Sequence, residues 1–70
     1  MFLLKDNFNG EELRRKRKKR KLTQKELGKL VDVSDSYISK IELGNSVPSL
    51  RLLNKISVVL GSSIKDFFYS

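Results

Sequence analysis

At 70 residues, with 15 Lys and Arg against 8 Asp and Glu and a formal net charge of +7, the chain has room for one small core and is biased toward anionic partners. Cysteine and histidine are both absent, which removes disulfides, thiolate zinc ligands and imidazole chemistry and leaves only carboxylates to hold a metal, so neither metal nor cofactor is expected. No apolar run approaches the ~20 residues of a membrane span, and Met1 to Leu4 is too short for the hydrophobic region of a signal peptide, so a soluble, cytoplasmic protein is expected.

Residues 1–9 are the candidate N-terminal arm, and one domain is expected over 10–69. Asn9 suits the N-cap of a first helix. Glu11 and Glu12 follow in its first turn and basic residues fill its last, the polarity that a helix dipole favours. Arg14, Arg15, Lys16, Arg17, Lys18, Lys19, Arg20 and Lys21 run without interruption. Such runs are often tails or localisation signals, but the capped polarity here argues for a helix. Its apolar stripe is thin, with Leu13 before the run and Leu22 after it, and Phe2, Leu3, Leu4 and Phe8 are available to cover the gap.

Thr23 and Glu26, three residues apart, form a capping box, so a second helix begins near Gln24, with Leu27, Leu30 and Val31 as its buried stripe. Ser34 is the matching N-cap of a third helix, and Val33 before it is placed to staple onto Ile38. Ile38 and Ile41 mark the buried side of that helix, which turns Asp35, Ser36, Ser39 and Lys40 outward. Gly44 is placed to end it, and Asn45, Ser46, Val47 and Pro48 form a loop. Ser49 caps a fourth helix with Leu50, Leu53, Ile56 and Leu60 as its core stripe. Gly61 ends that helix, and Ser63 caps a last helical turn through Ile64, Phe67 and Phe68.

Two short amphipathic helices over 23–42, joined across Val31, Asp32 and Val33, have the layout of a DNA-reading helix-turn-helix. Lys25 and Lys29 extend the positive surface of the first helix onto the second, which suits a phosphate backbone. Other classes fit less well. There is no His, no Cys, no glycine-rich phosphate loop and no paired-carboxylate arrangement for an enzyme. Leu13 to Leu22 offers almost no apolar face to a membrane, and the aromatic-studded sheet of single-strand RNA readers is missing.

In combination, Arg17, Thr23-Gln24, Leu27, Val33-Ser34, Ile38, Ile41-Glu42, Gly44, Pro48-Ser49-Leu50 and Leu60-Gly61 resemble the DNA-binding domain of the phage lambda repressor and Cro family, often called XRE-type, over roughly 11–68. The resemblance implies an all-α, compact five-helix bundle. Its helix-turn-helix, residues 23–42, is formed by helices two and three, with the third in the major groove and the second across the backbone above it. It also implies a sequence-specific double-stranded DNA-binding regulator, in particular a repressor, bound as a homodimer to a palindromic operator, with no small-molecule substrate. A protein-binding module of the same fold, of the antitoxin or antirepressor-partner kind, is the alternative.

Carried over position by position, the resemblance makes Ser34, Asp35, Ser36, Ser39 and Lys40 the base-contacting residues. Thr23, Gln24, Lys25, Tyr37, Asn45 and Ser46 are expected at phosphates, joined by Arg14 and Lys18. Arg17 and Glu42 match a partly buried ion pair between helices one and three. Three positions depart from the family pattern. Asp32 stands where glycine usually makes the turn and should take positive φ. Lys16 replaces a core aliphatic and should lay its stem along the core. Asp35 brings a carboxylate, which can accept from a cytosine N4 amine but cannot donate to a purine.

Overall fold

The computed structural model of the chain describes residues 7–69. Four α-helices are complete among them: α1 (Gly10–Lys19), α2 (Gln24–Val31), α3 (Asp35–Glu42) and α4 (Leu50–Leu60), followed by a 3-10 turn, Ile64–Phe67. Each helix begins where a side chain satisfies an otherwise orphaned amide. The Asn9 Oδ1 accepts from the Glu12 N–H at 3.2 Å, the Ser34 hydroxyl from the Tyr37 N–H at 3.1 Å, and the Ser49 hydroxyl from the Leu52 N–H at 3.1 Å. At α2 the exchange is reciprocal: the Glu26 N–H donates to Thr23 Oγ1 at 3.0 Å, and the Thr23 N–H donates to the Glu26 carboxylate at 2.8 Å. Those bonds from the Thr23 backbone and side chain hold the Glu26 carboxyl below the usual glutamate range.

Among the described residues there are therefore four complete α-helices, and the fifth helix expected after Ser63 is a 3-10 turn. The segment after Ser63 is too short to sustain α-helical bonding. Its amides reach back three residues, from Asp66 to the Ser63 carbonyl and from Phe68 to the Lys65 carbonyl, and the Asp66 carboxylate accepts from the Ser63 N–H at 3.0 Å. This turn still contributes to the core, because Phe67 is fully buried.

Leu13, Leu27, Val31, Ile38, Ile41, Leu53, Ile56, Leu60 and Phe67 form one cluster with Phe8. Leu22, Ile64 and Phe68 pack against it half-buried, and two residues expected there are exposed instead, Leu30 by 57% and Leu50 by 58%. On α2 the buried stripe is Leu27, Gly28 and Val31, rotated from the expected one because the turn passes directly over Gly28. A Cβ at that position would stand 2.5 Å from the Val33 carbonyl oxygen. At the start of α4, Pro48 is fully buried whereas Leu50 faces out. A second close approach joins α1 to α3, where a Cβ on Gly10 would lie 2.3 Å from the Ile41 carbonyl oxygen and 2.8 Å from that of Glu42.

Part of the expected arm is tied to the C-terminal segment. The Asn9 N–H donates to the Phe67 carbonyl at 2.7 Å and the Tyr69 N–H to the Asn7 carbonyl at 2.8 Å. Phe8 and Phe68 form an antiparallel bridge, and their rings meet edge to face at 5.8 Å. Phe8 thus joins the core as expected, whereas Phe2, Leu3 and Leu4 lie outside the described residues. No helix among the described residues is long and apolar enough to cross a membrane.

The basic run does not stay helical to its end. Lys21 takes φ +59° and closes α1: its own N–H reaches the Lys18 carbonyl and the Leu22 N–H reaches the Arg17 carbonyl, the paired bonds of a left-handed helix stop. A lysine there carries a steric cost of about 1–2 kcal/mol that glycine avoids. Part of the gain is offset by the freer unfolded chain of a glycine variant. Lys21→Gly is therefore expected to stabilise the domain by about 1 kcal/mol, or about 4–8 °C in a thermal melt. An unchanged or lower midpoint would show that the lysine is unstrained.

Candidate nucleic-acid interface

The site is organised from behind by an ion pair that crosses the bundle. Arg17 on α1 and Glu42 at the end of α3 are 7% and 5% exposed and meet fork to fork: Nε to Oε2 at 2.6 Å and Nη2 to Oε1 at 3.0 Å. The remaining guanidinium nitrogen, Nη1, donates to the Leu22 carbonyl at 2.7 Å. Gln24, the first residue of α2, adds its amide to Glu42 Oε1 at 3.1 Å. Three helices are thereby tied to a single carboxylate, and no buried side-chain polar atom among the described residues lacks a partner.

In front of that network, α3 presents its outer side. Ser34, Asp35, Ser36 and Lys40 are exposed and Ser39 is half-buried. The Asp35 carboxylate accepts from the Ser36 N–H at 2.8 Å, which turns it back over the helix start. A cleft of about 340 Å³ between α1 and α3 is lined by Glu11, Arg14, Arg17, Gln24, Ser39, Glu42 and Leu43. A second, of about 310 Å³, is lined by Gln24, Asp35, Ser36 and Ser39. Gln24 and Ser39 belong to both, so the two form a continuous concave surface along α3.

Several expected site residues are brought together there: Arg14, Gln24, Asp35, Ser36 and Ser39. Thr23, Lys25, Lys18 and Asn45 are exposed, and Ser46 is half-buried in the loop after α3; none of these five lines either cleft. Tyr37 is half-buried and packs against the core cluster. The Ser34 and Thr23 hydroxyls already accept from backbone amides, so what each has left to offer is its O–H as a donor.

The departures from the family pattern resolve locally. Asp32 takes φ +63°, the Val33 N–H returns to the Gly28 carbonyl at 2.9 Å, and Lys55 approaches the Asp32 carboxylate at 3.9 Å. Lys16 is half-buried, with its ammonium 3.5 Å from Glu12. Two residues of the surface, Glu11 and Leu43, lie outside the expected contact set. Leu43 lines the cleft and is 72% exposed. Its spacing of four from Ser39 and seven from Ser36 is the signal in the sequence that places it beside them.

The pattern described as helix-turn-helix matches residues 13–67. The chain is 35% identical over 51 residues to the ImmF control region 10 kDa protein of Bacillus phage phi105, covering 73% of this chain and 57% of that protein. It is 34% identical over 56 residues to multiprotein-bridging factor 1 of Candida albicans, covering 80% of this chain and 37% of that protein. The chain thus spans less than two thirds of either relative. Among solved structures it is similar to the P22 c2 repressor in complex with a synthetic operator, with a TM-score of 0.78, 39% identity, and coverage of 80% of this chain and 85% of that one.

Proposed function

Because the chain belongs to the helix-turn-helix family, of the XRE type typified by the phage lambda repressor and Cro, we propose that it is a sequence-specific double-stranded DNA-binding transcriptional regulator acting in the cytoplasm as a repressor. The observation that carries this reading is the outer side of α3. It is a polar surface held in place by the buried Arg17–Glu42–Gln24 network, opening on a cleft whose other wall carries Arg14.

The division of labour follows from chemistry. Arg14, Lys18, Lys25, Thr23, Gln24, Tyr37, Asn45 and Ser46 act on phosphates and set register, while Ser34, Asp35, Ser36, Ser39 and Lys40 meet base edges with α3 in the major groove. Asp35 accepts from a cytosine N4 amine, since a carboxylate has nothing to donate. Two copies on a palindrome would place their α3 helices about 34–36 Å apart. The matched phage relative and the operator-bound repressor support the regulatory reading, and the positive charge supports the ligand.

Selection of bound sites from a random duplex pool tests the proposal and reports symmetry and spacing directly. Binding should weaken steeply with salt, with a log–log slope of about −0.9 per neutralised phosphate. Within that assay, Lys40→Ala is expected to relax preference at one base pair and lose about 1–3 kcal/mol on the selected site, whereas Lys18→Ala should weaken selected and random duplexes alike. Equal losses on both duplexes for both variants would refute the division.

A further inference from the structure

Leu43 is one of five large apolar residues left exposed among the described residues, with Leu30, Leu50, Val58 and Tyr69. Single exposed leucines are ordinary on a protein surface, and the other four line neither of the clefts described above. Leu43 differs in position. It caps α3 with helical torsions, φ −80° and ψ −6°, so the helix phase carries through it. It therefore continues the row of Ser36 and Lys40 at i, i+4 and i+7. It also shares a cleft with Ser39, Gln24 and Arg14.

The row has a hydroxyl at Ser36, an ammonium at Lys40 and an isobutyl group at its end. That end offers no donor and no acceptor. A polyanion seated on this surface brings one apolar group to its major-groove edge, the C5-methyl of thymine. We propose that Leu43 is a further specificity-determining residue of this surface and packs against a thymine methyl. The inference rests on the DNA-binding reading above. With Arg17 and Glu42 paired to each other, Arg14 in the cleft and Lys40 on the same row outweigh the Glu11 carboxylate that also lines it, which favours DNA over an apolar protein partner as the occupant.

The test uses the full chain and the duplex enriched from a random pool, with each thymidine exchanged in turn for deoxyuridine, which removes the methyl and leaves the base pair intact. For the parent protein, one position per bound copy should lose about fourfold in affinity, the effect of exposing one methyl-sized group. For Leu43→Ala that same exchange should have no effect, while every other position keeps its parent response. Because Leu43 is 72% exposed, the variant should melt with the parent, so loss of folding does not confound the comparison. The inference is overturned if no exchange matters, if the enriched duplex has no methyl-sensitive thymine, or if sensitivity persists in Leu43→Ala. A leucine serving a protein partner would leave all exchanges silent. If no duplex is enriched even at low salt, the DNA-binding reading fails and this one with it, an outcome distinct from silent exchanges on a bound duplex.

Discussion

Glu42→Ala is expected to destabilise the domain by about 3–5 kcal/mol, because it leaves a buried guanidinium without its counter-charge. Arg17 is 7% exposed, and the Leu22 carbonyl, at 2.7 Å, would be its remaining partner within the protein. In a domain of this size each kcal/mol moves the melting midpoint by about 4–8 °C, so a large part of the variant population should be unfolded at ordinary temperatures. A paired replacement separates stability from positioning. Arg17→Met with Glu42→Leu removes both charges together, and apolar side chains of similar volume commonly match or exceed a buried ion pair. The double variant should melt close to the parent. It should nevertheless bind the selected duplex less tightly, because Gln24 loses the carboxylate that holds it against the end of α3. A Glu42→Ala midpoint within about 1 kcal/mol of the parent would mean that water reaches the pair and screens it.

Phe67→Ala is the second large effect, a loss of about 3–5 kcal/mol, as for other fully buried phenylalanines. Phe67 has no exposed surface, and its carbonyl accepts the Asn9 N–H that introduces α1. The ring and the carbonyl together place the C-terminal turn under the start of α1, where Gly10 meets the carbonyls of Ile41 and Glu42. Denaturant unfolding should show a lower midpoint with an unchanged slope, and the Asn9 and Tyr69 amides should lose hydrogen-exchange protection first. A loss below about 1 kcal/mol would identify the turn as a frayed end and leave the cluster complete without it.

Both predictions turn on contacts between segments far apart in the chain, and there the limits of sequence reading are clearest. Asn9, Thr23, Ser34 and Ser49 are each legible as caps because their work is local: a side-chain oxygen and an amide three residues on, within one turn. The polar outer side of α3 is legible for the same reason, since a period of 3.6 residues sorts Ser36, Lys40, Ile38 and Ile41 onto opposite sides without reference to anything else. Arg17 and Glu42 could be paired only through the family resemblance, being 25 residues apart.

The chain by itself determined where its helices begin, which side of α3 is hydrophilic, and that its charge suits a phosphate backbone. Only the packed bundle decided that Gly28 replaces Leu30 at the α2 surface facing the turn, that Pro48 is buried while Leu50 is exposed, and that Lys21 bends left-handed. It also decided that the last helix is a 3-10 turn stitched to Asn7 and Asn9. Periodicity specifies which residues share a side of a helix. How closely another backbone approaches that side is set by the summed packing of all the elements, and that distance selects between a leucine and a glycine.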